Sequence, residues 1–476
     1  MKDQIKNKAI LGMAWTGGGR IASQGVQFLM GLIIARLLTP SDYGVIGMLA
    51  IFMAISQTFL DSGFSSALIQ KKERTDEDYS TAFWFNNIAA FIIYALIYIA
   101  APYIAAFYDI PVLTNVARVV SLSLIINGLS IVQTAKHTID LNFKLQSVAS
   151  ILSALLSGCI GFVLAYKQYG VWALVFQGLS ASFIRLVLLW SFSSWRPSFV
   201  FSIHSFRQLF SFGSNILCSS LINTTYRNLY TLVIGKFYGP ADIGYYNRGN
   251  HFAQLPAQTC TEILLKVNYP VLSKLQDDNE QLVTVYRKLL RTPLFLLYPF
   301  LAGLAALANP LIEILLGEKW LPCVPILQIL IFAYMWSPLT HINLNLLYVK
   351  GRSDLVLKLE LIKKPIAFII LFISIPFGIW WMCVGQVVYF FIAFLLNCHY
   401  TQKLLNYGFW QQIKELLPII VNTLIMIAVI SATLSCFVNL WLKFACGLLT
   451  GVISYLLVAF LTEDESLLFL FRKVKH

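Results

Sequence analysis

Charge is scarce in this chain. Asp, Glu, Lys and Arg together make up 12% of its 476 residues, where a soluble globular domain carries about a quarter. Polar stretches long enough to fold alone are also missing. The longest, KKERTDEDYS from Lys71 and SKLQDDNEQLVTVYRK from Ser273, reach only about one or two helical turns beyond their apolar neighbours. A separate soluble catalytic domain is thereby excluded, and any chemistry must sit within a membrane or at its surface. The eight cysteines, at 159, 218, 260, 323, 383, 398, 436 and 446, stand singly with no CxxC pair, which argues for packing rather than zinc or redox work. Histidine is rare as well. His137, His204, His341 and His399 fall in loops or near helix ends, and neither a Ser-His-Asp triad nor a nucleophile elbow can be traced. No catalytic residue, metal or cofactor is expected, and the chain is read as something other than an enzyme.

Acidic residues number 22 against 35 basic ones, a net charge of +13. In a soluble protein that excess would suggest nucleic acid. Here the positive residues fall between apolar runs, so they report topology and no nucleic-acid partner is expected. The runs themselves dominate: 58% of the residues are hydrophobic and the mean hydropathy is +0.72. They recur at roughly 20 to 25 residues, the length a helix needs to cross a hydrocarbon layer about 30 Å thick, and they lack the alternation of barrel strands. Helices are expected near residues 9–38, 43–69, 79–107, 112–135, 145–167 and 170–194, then 206–236, 242–271, 286–316, 322–349, 353–376 and 378–403, with a final pair near 415–439 and 441–462. The basic start MKDQIKNKAI is read as leading into an uncleaved first span.

The two sets of six are copies. LIIARLLTPSDYG at Leu32–Gly44 returns as LVIGKFYGPADIG at Leu232–Gly244, with Pro40 matched to Pro240, Asp42 to Asp242 and Gly44 to Gly244. Later in the chain Pro102 matches Pro310, Gly170 matches Gly378 and Trp172 matches Trp380. Such self-similarity marks duplication. The expected fold is an all-α polytopic membrane protein of about 14 transmembrane helices. Two six-helix lobes, residues 1–200 and 201–405, are related by a pseudo-two-fold axis along the membrane normal with a cleft between them, and residues 406–476 add a helix pair and a basic tail. Lys71, Lys72, Lys136, Lys144, Arg196, Lys350 and the tail residues Arg472, Lys473 and Lys475 share one side with both termini, which the positive-inside rule makes cytoplasmic. Arg36, Lys167, Lys236, Lys319 and Lys443 are exceptions on the other side.

Polar residues inside the spans carry the functional signal. In the first helix Thr16, Arg20, Ser23, Gln24 and Gln27 form one stripe, preceded by Gly17, Gly18 and Gly19, a weak point where the helix can bend. A guanidinium at this depth is costly unless it faces a cavity or a partner. Its repeat partner carries Ser220, Asn223, Arg227 and Tyr230 on one face, and the helix after that carries Asn247, Arg248, His251, Gln254, Gln258, Glu262 and Lys266, interrupted by Pro256. Glu262 and Lys266, four apart, can form a local ion pair. Asp61 can titrate, pair with Arg74 or cap its helix, while Arg185 is deep enough to join a cavity. Lys363 and Lys364 are expected to snorkel to the interface. Stripes of Gln, Asn, Tyr and Arg offer many donors and fixed positive charges, which sugar hydroxyls and phosphates require.

ARLLTPSDYGVIGMLAIFMAISQTFLDSGFSSALIQKK from Ala35, followed by TAFWFNN from Thr81 and by YGPADIGYYNR from Tyr238, resembles the polysaccharide biosynthesis flippases, the Wzx-type branch of the multidrug/oligosaccharidyl-lipid/polysaccharide exporter superfamily. The resemblance covers nearly the whole chain. It implies two lobes around a central cavity lined by the first, second, seventh and eighth helices. It also implies a substrate, an undecaprenyl-pyrophosphate-linked oligosaccharide moved to the outer leaflet of a bacterial cytoplasmic (inner) membrane for surface polysaccharide assembly. On that reading Arg20, Gln24, Gln27, Arg227, Arg248, Gln258 and Lys266 bind substrate, Asp61 and Glu262 serve coupling or ion pairing, and Gly17, Gly18, Gly19 and Pro256 are hinges. The expected partners are the lipid-linked oligosaccharide, the phospholipid bilayer and, as a candidate, a polysaccharide polymerase, with the protein itself a monomer. The alternative within the superfamily is a drug or metabolite antiporter, against which the arginine content argues. A polytopic glycosyltransferase or polymerase ranks lower, because those enzymes need a sizeable outer loop or paired acids.

Overall fold

In the computed structural model, residues 2–61, 63–71 and 73–467 are described. Lys72 and the basic tail Arg472, Lys473 and Lys475 lie outside them. Contacts divide the chain into two compact units, residues 1–244 and 245–476. The first holds α1 (Lys2–Leu37), α2 (Pro40–Asp61), α3 (Phe64–Gln70), α4 (Asp76–Tyr108), α5 (Val112–Val120), α6 (Leu122–Ile139), α7 (Phe143–Tyr166), α8 (Val171–Ser191), α9 (Ile203–Phe237) and the first turn of α10 (Pro240–Ser273). The second holds the rest of α10, α11 (Asn279–Ala306), α12 (Ala308–Leu316), α13 (Cys323–Met335), α14 (Ser337–Val349), α15 (Ser353–Ser374), α16 (Ile379–Leu405), α17 (Phe409–Cys436) and α18 (Leu440–Leu461). The described residues contain no strand.

Four of the expected spans are each two helices, and local chemistry explains every break. Gly63, at φ +74°, parts α2 from α3, a conformation that favours glycine. At Ser121 the hydroxyl donates to the Arg118 carbonyl at 3.1 Å, competing with the helix ladder between α5 and α6. Pro310 and Pro338, lacking N–H, stand in the first turns of α12 and α14, where a new helix begins at no loss. Helix starts are fixed by side chains. Thr39 and Asp42 bond reciprocally at the start of α2, the Thr39 amide to the carboxylate at 2.9 Å and its hydroxyl at 2.6 Å. Thr75 and Asp78 do the same for α4.

Ten of the segments, counted across the α2–α3, α5–α6 and α13–α14 breaks, are long and apolar enough to cross a membrane among the described residues. Four more helices, α1, α9, α10 and α15, have the length but too many polar groups to qualify. They are the ones carrying Arg20, Arg227, Arg248 and Lys363. Lys363 and Lys364, expected to snorkel, pair with Glu360 one turn away on the same helix, at 2.7 and 3.8 Å, and the Lys363 side chain is 4% exposed.

In the first unit α1 lies along α7 and α7 along α8, while α2 packs on α9 and α4 on α6. Glycines set the α1–α7 spacing: a methyl at Gly12 would strike the Phe143 ring, one at Gly19 the Ser147 side chain, and one at Gly158 the Met30 side chain. The duplicated motifs meet each other. A Cβ on Gly44 would land on the Pro240 carbonyl and one on Gly244 on the Pro40 carbonyl, so each copy seats its glycine on the proline of the other. Lys236 explains one topological exception. Its ammonium donates to the Phe107 carbonyl at 2.6 Å and lies 3.6 Å from Asp109, at the negative end of α4.

The second unit is fastened by a buried polar cluster. Tyr286 donates to the Asn343 carbonyl oxygen at 2.8 Å, while Asn343 and Gln412 exchange two hydrogen bonds of 2.9 Å. All three residues are fully buried, and they tie α11, α14 and α17 together. Arg291 adds bonds of 2.9 Å to Asp464 and Glu465 beyond α18. Asn343→Ala strands the buried phenol and amide. It is expected to lower stability by roughly 2–4 kcal/mol, read as an earlier unfolding midpoint in detergent; an unchanged midpoint would mean that the cluster contributes nothing.

Candidate functional site

Burial divides the expected stripe on α1. Ser23 is buried, its hydroxyl donating to the Arg20 carbonyl at 3.1 Å, while Thr16, Arg20, Gln24 and Gln27 are exposed. The glycines divide between two roles. Gly19 is packed on α7, but added methyls at Gly17, Gly18 and Gly25 would meet nothing within 4 Å, so α1 has one face locked to α7 and another open. The helix nevertheless runs unbroken through all three expected hinge glycines.

On α9, Asn223 and Arg227 are exposed, and the face behind them binds α2. The hydroxyls of Thr224 and Thr58 lie 3.0 Å apart, and Asn228 donates to the Thr224 carbonyl at 2.9 Å. Asp61 is the centre of a second polar group. Gln57 donates to its carboxylate at 3.1 Å, Asn127 of α6 donates to the Gln57 carbonyl at 3.0 Å, and Arg185 of α8 supplies the attracting charge. Arg74 does not serve Asp61; it donates to the Leu68 and Ile69 carbonyls at 2.7 and 2.6 Å and closes α3. Gln57, Asn127, Thr58 and Thr224 are the polar residues that spacing alone overlooked. Gln57 could have been found, since it precedes Asp61 by one turn.

Arg20, Gln24, Gln27, Asp61 and Arg227 thus belong to the first unit. Arg248, Gln258, Glu262 and Lys266 belong to the second. There α10 is held against its neighbours on one side: Gly249 lies on the Cys323–Leu327 backbone, the Gln386 amide donates to the Tyr246 hydroxyl at 2.6 Å, and Tyr334 donates to Asn250 at 2.7 Å. Arg248 is half-buried, its guanidinium 5.7 Å from the centre of the Trp320 ring, a cation–π geometry. Gln258 donates to Glu262 at 3.0 Å, and Gln258 and Lys266 are exposed. Pro256, expected to interrupt the helix, lies inside a continuous α10. Among the described residues no group of three or more His, Cys, Asp or Glu could hold a metal.

Long apolar helices with polar faces on α1, α9 and α10, and charged groups that bond across helices, define a multi-pass membrane protein. Its likeness to solved transporters is close in fold. A lipid II flippase MurJ in an inward closed conformation matches 96% of this chain and 99% of that one at TM-score 0.76 and 18% identity. An inward-facing multidrug resistance MATE family transporter of the MOP superfamily matches 81% and 98% at TM-score 0.58 and 14% identity. Relatives by sequence include the teichuronic acid biosynthesis protein TuaB of Bacillus subtilis, 26% identical over 74% of this chain and 73% of that protein. The lipopolysaccharide biosynthesis protein WzxC of Escherichia coli is 25% identical over 75% and 73%. The succinoglycan biosynthesis transport protein ExoT of Rhizobium meliloti is 26% identical over 71% and 68%. The polysaccharide biosynthesis protein family matches residues 33–325, more than half of the chain, and the chain belongs to that family.

Proposed function

We propose that the protein is an alternating-access flippase that carries undecaprenyl-pyrophosphate-linked oligosaccharide from the inner to the outer leaflet of a bacterial cytoplasmic membrane, for assembly of a surface polysaccharide. The observation that carries this reading is the open face of α1, where Arg20, Gln24 and Gln27 are exposed on a helix that would otherwise suit lipid. Such groups persist at membrane depth when they meet water or a polar ligand. Arg20, Arg227 and Arg248 would attract the pyrophosphate, with Lys266 beside them, while Gln24, Gln27 and Gln258 would hydrogen-bond the sugars. The lipid tail stays in the bilayer, since moving it from one hydrocarbon to another gains nothing. Asp61, held by Gln57 and attracted by Arg185, is the candidate coupling group of the first unit, with Glu262 its counterpart in the second. Gly17, Gly18 and Pro256 supply compliance in α1 and α10.

Names of relatives in teichuronic acid, lipopolysaccharide and succinoglycan assembly support the same class of cargo. Basic residues at Lys71, Lys136, Lys144, Arg196 and Lys350 support cytoplasmic termini. We take the protein as a monomer that hands its cargo to a polysaccharide polymerase. Deleting the gene is expected to remove the surface polysaccharide while lipid-linked oligosaccharide accumulates in the inner leaflet, and supplying the intact chain restores export. Undiminished export after deletion, with no other transporter induced, would overturn the proposal.

A further inference from the structure

A groove of about 290 Å³ runs between α7 and α8, with walls of Leu145, Val148, Leu152, Leu188 and Phe192 and with Lys144 at one end. Val148, Leu152 and Phe192 are exposed by 38, 40 and 64%, so the groove opens outward from the helix pair. An acyl chain entering it leaves one apolar medium for another and gains little. Selection must come from the end where Lys144 stands, its ammonium exposed and 5.4 Å from the centre of the Trp15 ring. A compact positive charge at the mouth of an apolar groove matches a phosphate on an acyl chain.

We infer that this groove binds an anionic glycerophospholipid, with its acyl chain along Val148, Leu152 and Leu188 and its phosphate at Lys144. A second groove provides the contrast. Between α15 and α16, about 380 Å³ is lined by Ile370, Ile373, Phe377, Trp381, Val384 and Val388, with Ser374 and Gly385, and no charged residue among those described contributes. That groove accepts acyl chains without regard to headgroup.

The apolar walls lie on the far side of α7 from the helix that carries Arg20, and Lys144, about 100° from either face, stands at the rim with its ammonium toward Trp15 of α1. Phe143 and Ser147 of α7 meet Gly12 and Gly19 of α1, whereas Leu145 and Ala149, each two positions further on, line the groove about 200° round the same helix. A lipid seated there braces α7 against the side that holds α1, and transport should then depend on anionic lipid. That dependence rests on the function proposed above; lipid binding does not, so binding is measured by itself.

The test uses native mass spectrometry of the full chain released from vesicles containing equal amounts of phosphatidylethanolamine and phosphatidylglycerol. Wild type should retain phosphatidylglycerol about fivefold over phosphatidylethanolamine. Lys144→Glu and the milder Lys144→Gln should remove that preference, as should Leu152→Trp, which fills the groove. Val388→Trp, which fills the uncharged groove, should leave it unchanged. Unfolding midpoints verify that each variant is folded. A wild-type preference in Lys144→Glu or Leu152→Trp, or its loss in Val388→Trp, would overturn the assignment.

Discussion

Gly44→Ala should leave almost no folded protein in the membrane. The added methyl would lie on the Pro240 carbonyl and close to that residue's carbonyl and α carbons. Those are backbone atoms at the first residue of α10, so no rotamer change can make room. Overpacking a core by a methylene typically costs about 1–3 kcal/mol, and a clash with backbone exceeds that, enough to consume much of a marginal stability. Gly244→Ala, pressing on the Pro40 carbonyl, should behave alike. The same substitution where α1 is open gives the comparison. At Gly18 an added methyl meets nothing within 4 Å, and replacing a helical glycine by alanine should stabilise by up to about 1 kcal/mol. Detergent-extracted protein, quantified by size-exclusion and by its unfolding midpoint, reads both effects. Equal yield and midpoint in Gly44→Ala and wild type would refute the reciprocal seating of the two motifs.

Arg20→Ala should reduce transport of the lipid-linked oligosaccharide roughly 10- to 100-fold while protein level and unfolding midpoint stay near wild type. A charge-assisted hydrogen bond to phosphate contributes about 1.5–3 kcal/mol, which converts to that range. The side chain is exposed on the open face of α1, so little packing is lost with it. Arg20→Lys keeps the charge but not the planar fork and should fall between the two. Arg248→Ala should match Arg20→Ala in transport but also lower the midpoint, because the guanidinium lies in cation–π range of the buried Trp320. Full export by Arg20→Ala and Arg248→Ala alike would count decisively against a pyrophosphate cradle.

Helix identity was legible from apolar run length, and the polar stripe on α1 from a spacing of three and four. What spacing could not reveal were contacts between residues far apart in the chain. Asp61 was visible as an acid near the inner end of the second span, but the cation that acts on it comes from α8, and nothing local distinguishes Arg185 from Arg74. The duplicated Pro-x-Asp-x-Gly motif was plain in the sequence; that its two copies touch was not, since similarity establishes equivalence rather than proximity. The breaks at Ser121 and Trp336 escaped notice because hydropathy averaged over a span does not register a hydroxyl competing for a carbonyl or a proline opening a new turn. Lys236 read as an anomaly of topology until its bond to the Phe107 carbonyl gave it a local reason.

Reconstitution addresses the central claim most directly. Purified protein is placed in vesicles carrying a defined undecaprenyl-pyrophosphate oligosaccharide in the inner leaflet, and the fraction that becomes accessible to an external glycosidase is followed with and without an ion gradient. Wild type should transfer well above protein-free vesicles, and Arg20→Ala close to background. Transfer by wild type no faster than in protein-free vesicles, with or without the gradient and with folded protein verified in the same vesicles, would contradict that claim.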